Sequence, residues 1–411
     1  MLFKLTVSSL LSRKLMAVLT IISIGVSVFV LLSVEHIKTE VKGNFQRTVS
    51  GVDLIVGSRT SQLNLLLYSV FRIGNPSNNL SWNSYQEIAD HKDVSWSIPF
   101  SLGDSHQGYA VLGTTPDYFK YFKFADKQQL SFANGQAFER LYQVVLGAEV
   151  AKLLGYEVGD GIIVSHGSGK VSFTHHDKHP FTVTGILAAT GTPIDQTLHL
   201  PFAAIDVIHE GVVFENLPLD DSRIAPHDGD AVSAVLLGVT NKLSVLRLQR
   251  KINQYEKEPL IAVLPGLALM QLWQIMERVE ISLSIVSALI LFAALLGMIT
   301  MLLASMAERE REISVLRALG ARPSVIILLV ESEAILLTFS GCLIAYFSLW
   351  VTLFLGQSFL QQEYGLFIQT LSFNWQVGRY IAGAIGIAGI LALIPAYISH
   401  HRSLLKGLNS H

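Results

Sequence analysis

Two apolar runs, 281–306 and 325–355, are each long enough to cross a bilayer as a helix, which takes roughly 20 apolar residues. Only a short segment, 307–322, separates them, and its opening residues Glu308, Arg309, Glu310, Arg311 and Glu312 alternate in sign. Charge of that density cannot stay in hydrocarbon, so the chain has to reach a membrane surface there. Runs at 15–34 and 381–399 bring the spans to four. Basic residues gather at Lys4, Arg13 and Lys14, at Arg309, Arg311, Arg317 and Arg322, and at Arg402 and Lys406. With four spans all three groups fall on one side, and an excess of Lys and Arg marks the cytoplasm. The 356–380 connection carries only Glu363 and Arg379. The expected order is a cytoplasmic N-terminus (1–14), a first span (15–34), an extracytoplasmic domain (35–280) and a second span (281–306). A cytoplasmic segment (307–322), a third span (325–355), a short outer loop (356–380), a fourth span (381–399) and a cytoplasmic tail (400–411) follow.

Composition agrees with a few spans plus a water-soluble domain: the 411 residues are 50% hydrophobic, with a mean hydropathy of +0.45. A net charge of -2 offers no electrostatic basis for binding nucleic acid. The single cysteine, Cys342, lies in an apolar run, which excludes an intrachain disulfide. A cleaved signal peptide is the rival reading of the first run. That run exceeds the usual 7–15 apolar residues and no small-x-small site follows it, so it reads as an uncleaved anchor.

The region between the first two spans reads as mixed α and β. Short β-branched or alternating runs at 52–56, 109–112, 161–164, 181–186 and 231–239 predict strands. Helical spacing occurs at 81–91, 138–154 and 242–257, with Ser81 and Asn241 as N-caps. Gly103-Asp104, Thr190-Gly191-Thr192-Pro193 and Gly159-Asp160-Gly161 carry turn chemistry. Residues 35–48 and 267–280 adjoin the first two spans and can extend them outward as helical stalks, with Pro265-Gly266 marking the start of the second. Gly43 and Gly51 weaken the first, at about 1 kcal/mol each relative to Ala.

After its charged opening, 307–322 presents Ile313, Leu316 and Leu319-Gly320 at three- and four-residue spacing, and Gly320 followed by Pro323 is a helix stop. It predicts a short amphipathic helix at the cytoplasmic face, serving either as a snorkelling anchor for the span ends or as a docking surface. Gly167-Ser168-Gly169-Lys170 imitates the end of a phosphate loop, but the pattern needs Gly and Ser or Thr where Val164 and Val171 stand. Six of the 13 histidines fall between His166 and His209. The run His175-His176-Asp177-Lys178-His179 joins imidazole and carboxylate as Zn²⁺ accepts them, but Phe173-Thr174 and Pro180-Phe181 around it favour a polar hairpin loop between strands, and no H-E-x-x-H or paired Cys accompanies it. Glu331 is a carboxylate about two turns into the third span. It reads either as snorkelling or as an intramembrane acid that Arg317 or a second subunit neutralises. No nucleophile context such as G-x-S-x-G is present, and no catalytic site is expected.

The stretch Glu308-Arg309-x-x-Glu312-Ile313-x-Val315-Leu316-Arg317-Ala318-Leu319-Gly320-Ala321 resembles the signature of FtsX-like ABC transporter permeases, the MacB and LolC/LolE superfamily. Asp53-Leu54-Ile55-Val56-Gly57, Gln62–Leu67, Val145–Ala151 and Thr190–Asp195 are similar to the periplasmic core domain of that superfamily, here in a stand-alone permease without a fused ATPase. The resemblance implies an α-helical inner-membrane protein with four spans and an α+β domain inserted after the first. It implies an ATPase-coupling helix comprising Glu308, Arg309, Glu312, Ile313, Leu316, Arg317, Leu319 and Gly320. The expected partners are a cytoplasmic ABC ATPase that binds ATP and Mg²⁺, a second permease copy, identical or homologous, and a periplasmic or outer-membrane partner. Mechanotransmission is the implied activity. A zinc-linked receptor or scaffold using the His-rich loop, and lipoprotein or lipid release of the LolC/LolE kind, stand as alternatives.

Overall fold

The computed structural model describes residues 2–48, 50–125, 127–166, 180–210, 212, 214–227, 229–308, 323–364, 371–372 and 374–408. They form two compact units: one of residues 1–40, 277–359 and 368–411, the other of residues 41–276 and 360–367.

Four helices are long and apolar enough to cross a membrane, as expected. They are the first span helix, Lys14–Thr48, the second, Pro265–Glu308, the third, Pro323–Tyr364, and the fourth, Trp375–Leu408. At 35 and 44 residues the first two are about 52 and 66 Å long, well beyond a hydrocarbon core of about 30 Å. Gly43 lies within the first, and Pro265 opens the second, where its missing N–H costs nothing. Small residues set the helix contacts. Gly341 of the third span meets Ile24 and Gly25 of the first so closely that a Cβ on Gly341 would stand 2.9 Å from Ile24 Cγ2. Ala384, Ala388, Ala392 and Ala396 make one buried stripe on the fourth. Large apolar side chains such as Leu289, Phe292, Phe347, Leu355 and Ile390 point outward, as a lipid-facing surface requires. A further helix, Leu2–Ser12, precedes the first span and is separated from it by a turn at Arg13.

The second unit is built on a mixed sheet. Its principal strands are β1 (Leu54–Ser58), β2 (Val94–His106), β3 (Tyr109–Thr114), β4 (Phe132–Gly135), β5 (Gln143–Leu146), β6 (Phe181–Leu187), β7 (Thr197–Pro201), β8 (Ala234–Val239) and β9 (Leu260–Val263). They lie in the order β9-β1-β8-β2-β3-β7-β5-β6-β4. The β6–β5 and β7–β3 pairs are parallel and the other neighbours antiparallel. Successive residues pack into different cores. Ile55, Leu236 and Val145 join Phe100, Tyr118 and Phe138, Leu54, Val56, Val235 and Leu237 join Leu248 and Leu260, and Val144 and Leu146 join Phe181 and Leu198. Both faces of these strands are therefore covered.

Two sequence readings are corrected by these strands. Residues 138–154 do not form one helix: 143–146 is β5, and the helix Ala148–Leu154 begins only after Gly147. A strand buried on both faces is a continuous apolar run, which periodicity cannot tell from a helix. Gly147 stands between strand and helix, and no other residue fits there because a Cβ would stand 2.3 Å from the Ile194 carbonyl oxygen. Gly103-Asp104 is likewise no turn. It lies inside β2 at a register shift between Leu102 and Ser105, a bulge of the kind glycine marks in strands. The chain reverses at Gln107-Gly108, whose φ values of 49° and 89° suit a two-residue hairpin.

Candidate functional site

Glu308 is the last residue of the second span helix, and Arg309, Glu312, Ile313, Leu316, Arg317, Leu319 and Gly320 lie outside the described residues. What the structure places around that segment is a set of polar contacts at its two flanks. Arg13 Nε lies 3.1 Å from Glu308 Oε2. Ser9 Oγ donates to Glu333 Oε1 at 2.6 Å, and Thr6 Oγ1 and Ser332 Oγ share a hydrogen bond of 2.8 Å.

Glu331 and Glu333 stand on different faces of the third span. Glu331 turns toward the fourth, where a Cβ on Gly389 would lie 3.6 Å from its Oε2, and its Oε1 is buried with no partner among the described residues. Glu333 is the more deeply buried acid, 4% exposed, and sequence reasoning passed it over. The available signal was the Glu-Ser-Glu spacing at 331–333: two residues apart on a helix is about 200°, so one of the pair had to face inward when the other faced its neighbour.

At their other ends the first two spans approach one another. Lys38 Nζ sits 3.5 Å from Glu280 and 3.7 Å from Glu35, and Lys42 Nζ lies 5.8 Å above the Trp273 ring. The first and fourth spans frame a small, partly open cleft lined by Glu35, His36, Thr39, Glu40, Asn374 and Tyr380. Asn374 Oδ1 caps the fourth helix by accepting from Val377 N at 3.0 Å. Carboxylates are favourable beside such a helix N-terminus.

His175, His176, Asp177 and His179 lie outside the described residues. Among the described residues no group of three or more His, Cys, Asp or Glu side chains could hold a metal. Two histidines near them in sequence have structural partners. His209 Nε2 is 3.2 Å from Asp104, and that hydrogen-bonded carboxylate raises its pKa. His199 is fully buried, with Nδ1 3.3 Å from the Val145 carbonyl and its ring stacked on Tyr118. Burial, aided by the nearby Arg72 cation, pushes its pKa from 6.5 down to about 3. His199 therefore stays neutral in the folded domain while the unfolded chain protonates below pH 6.5. Its contribution is intact above that value and is lost as pH falls, by about 2 kcal/mol at pH 5, since each pH unit is worth about 1.4 kcal/mol. His209 has the opposite sign. Its contribution is complete below pH 6.5 and fades as pH rises through its raised folded value. Thermal unfolding of the purified chain between pH 6 and 5 is expected to show this slope, and His199→Gln should flatten it. An unchanged slope in that variant would mean that His199 does not control acid stability.

The profile of the MacB-like periplasmic core domain matches residues 15–254, more than half the chain, and that of the FtsX-like permease C-terminal matches residues 284–403. The chain belongs to the MacB/FtsX-like ABC transporter permease family. Such a permease works in a membrane with a cytoplasmic ATPase, and the domain between the first two spans is its MacB-like periplasmic domain. Among solved structures, the periplasmic region of MacB from Actinobacillus actinomycetemcomitans is similar at 12% identity and a TM-score of 0.34, covering 55% of this chain and 94% of that one. The extracellular domain of the noncanonic ABC-type transporter YknZ from Gram-positive bacteria is similar at 13% identity and a TM-score of 0.31, covering 52% of this chain and 98% of that one. No curated protein matches the chain.

Proposed function

We propose that this permease converts ATP binding by its partner ATPase into movement of the 41–276 domain. The segment 307–322 is the contact that the ATPase grips, through the apolar stripe Ile313, Leu316 and Leu319 with Glu308, Arg309, Glu312 and Arg317 around it. Its basic residues put that contact in the cytoplasm and the 41–276 domain in the periplasm. A second copy of the permease, identical or homologous, completes the transporter.

The observation that carries this reading is the pair of long helices, Lys14–Thr48 and Pro265–Glu308. Each continues well past the length a bilayer needs, and the two are tied to each other by Lys38–Glu280 and Lys42–Trp273. A lone ion pair at a wet surface is weak, but continuous helices joined in this way suit a lever more than a pore.

Locking the stalks tests the idea. In a Cys342→Ser background, Lys42→Cys and Trp273→Cys are bridged with a short cleavable thiol cross-linker in the assembled transporter. Coupled ATP turnover is expected to fall about tenfold or more, a coupling loss of roughly 1.4 kcal/mol, and to return on reduction. Turnover indifferent to the bridge would exclude stalk movement from the cycle.

A further inference from the structure

The first span has no direct connection to 309–322, which joins the second and third, yet a lever needs both stalk helices to respond. Helix Leu2–Ser12 offers the missing link. Thr6, Ser9 and Arg13 follow one another at three- and four-residue spacing and so make a single stripe. That stripe faces inward: Thr6 is 1% and Ser9 8% exposed, while Leu11 and Leu15 point out at 67% and 72%. Such inverted amphipathy suits a helix whose outer side meets lipid and whose polar side is satisfied by protein. Its contacts fall on both flanks of 309–322, with Arg13 on Glu308 at the end of the second span and Thr6 and Ser9 on Ser332 and Glu333 of the third.

We infer that the stripe Thr6–Ser9–Arg13 is the joint through which movement of 309–322 reaches the first span, whose helix starts at Lys14, the next residue. The assignment rests on the lever reading above. The contacts differ in kind. Ser9–Glu333 is short and buried and holds the helix to the third span through a charge-assisted bond. Arg13–Glu308 uses one guanidinium nitrogen, its carboxylate is 57% exposed, and Arg13 Nη1 is buried without a partner among the described residues. It lacks the two-pronged geometry of a strong arginine pair, so it can part and re-form as the second span moves. Arg13, Ser9 and Thr6 are thus positioning residues for energy transmission and not part of the ATPase contact.

The assembled transporter, with Cys342 replaced by serine and spin labels at Val41→Cys and Gln274→Cys, supplies the test. In the parent protein, ATP should change the distance between the labels. Arg13→Glu sets two carboxylates against each other. It is expected to keep the ATPase bound during purification while reducing the fraction of molecules that respond by about tenfold. Arg13→Lys, which keeps a cation opposite Glu308, should retain most of the response. Ser9→Ala, a milder change, should leave an intermediate response. A response in Arg13→Glu equal to the parent's, or a loss in Arg13→Lys as large as that in Arg13→Glu, would overturn the assignment. Loss of the ATPase from Arg13→Glu would do so too, because it would place Arg13 in the docking surface. If the parent itself shows no ATP-dependent change, the lever reading fails, and the joint with it.

Discussion

A chain carrying Leu316→Asp and Leu319→Asp should reach the membrane in normal amount and lose its ATPase. Both leucines belong to the apolar stripe that the spacing in 307–322 predicts, and a segment that short buries such a stripe only against a partner. Covering a leucine is worth roughly 1.5–3 kcal/mol, and forcing an unpaired carboxylate into the same contact adds a desolvation penalty. Together the changes remove on the order of 5 kcal/mol or more, several thousandfold in affinity. Co-purification of the ATPase and its permease-stimulated turnover are both expected to vanish. Insertion should survive, because two acids added to an already charged connection do not enter hydrocarbon. Retention of the ATPase by this variant would sink the assignment of 307–322 as the coupling segment and leave the snorkelling anchor in its place.

Asp195→Ala should be a strongly damaging change in the 41–276 unit. The carboxylate is 1% exposed. It accepts from Thr190 N at 2.9 Å to both oxygens, from Thr190 Oγ1 at 2.8 Å and from Gly191 N at 2.8 Å. Burial raises its pKa, and these donors act against that rise. Alanine leaves the donors without their acceptor inside the protein, at about 1–3 kcal/mol each where no water reaches, so a total of about 3–5 kcal/mol is expected. The helical turn Pro193–Gln196 that follows should loosen with it, and the backbone oxygens of Ile194 and Asp195 rest against Gly147 at the head of Ala148–Leu154. Thermal unfolding should move down by roughly 10 °C, at 2–4 °C per kcal/mol for a domain of this size. Asp195→Asn, which keeps one acceptor oxygen, should fall between. A melting point within a degree or two of the parent's for the alanine variant would show that the turn is held by something else.

This turn also shows how far the sequence could be read. Thr190-Gly191-Thr192-Pro193 is visible as turn chemistry because Gly and Pro act locally. That Asp195 closes the turn is a contact over a few residues, legible in principle. That the next carbonyls press on Gly147 is not, since nothing near residue 147 in sequence announces residue 194. The misread helix at 138–154 has the same origin. Val144, Val145 and Leu146 look alike in a buried strand and in a buried helix, and only the neighbours β6 and β7 decide between them.

The membrane part divides in the same way. Spans are legible because crossing hydrocarbon demands some twenty apolar residues in a row, and the charged connection is legible because charge cannot follow them. Helix Leu2–Ser12 escaped notice: its polar residues are few, and their inward direction has meaning only once Ser332 and Glu333 stand opposite. Glu331 was picked out by composition and Glu333 was not, although Glu333 is the acid that the fold buries.

Local composition by itself therefore determined that this chain has four membrane spans, inserts a mixed α and β domain after the first and carries a short charged connection after the second. Those properties depend on the solvent each stretch tolerates. Only the tertiary structure decided which polar groups meet inside, from Ser9 on Glu333 to Asp104 on His209. Such pairs join residues more than a hundred apart, and their energy exists only when packing has removed the water between them.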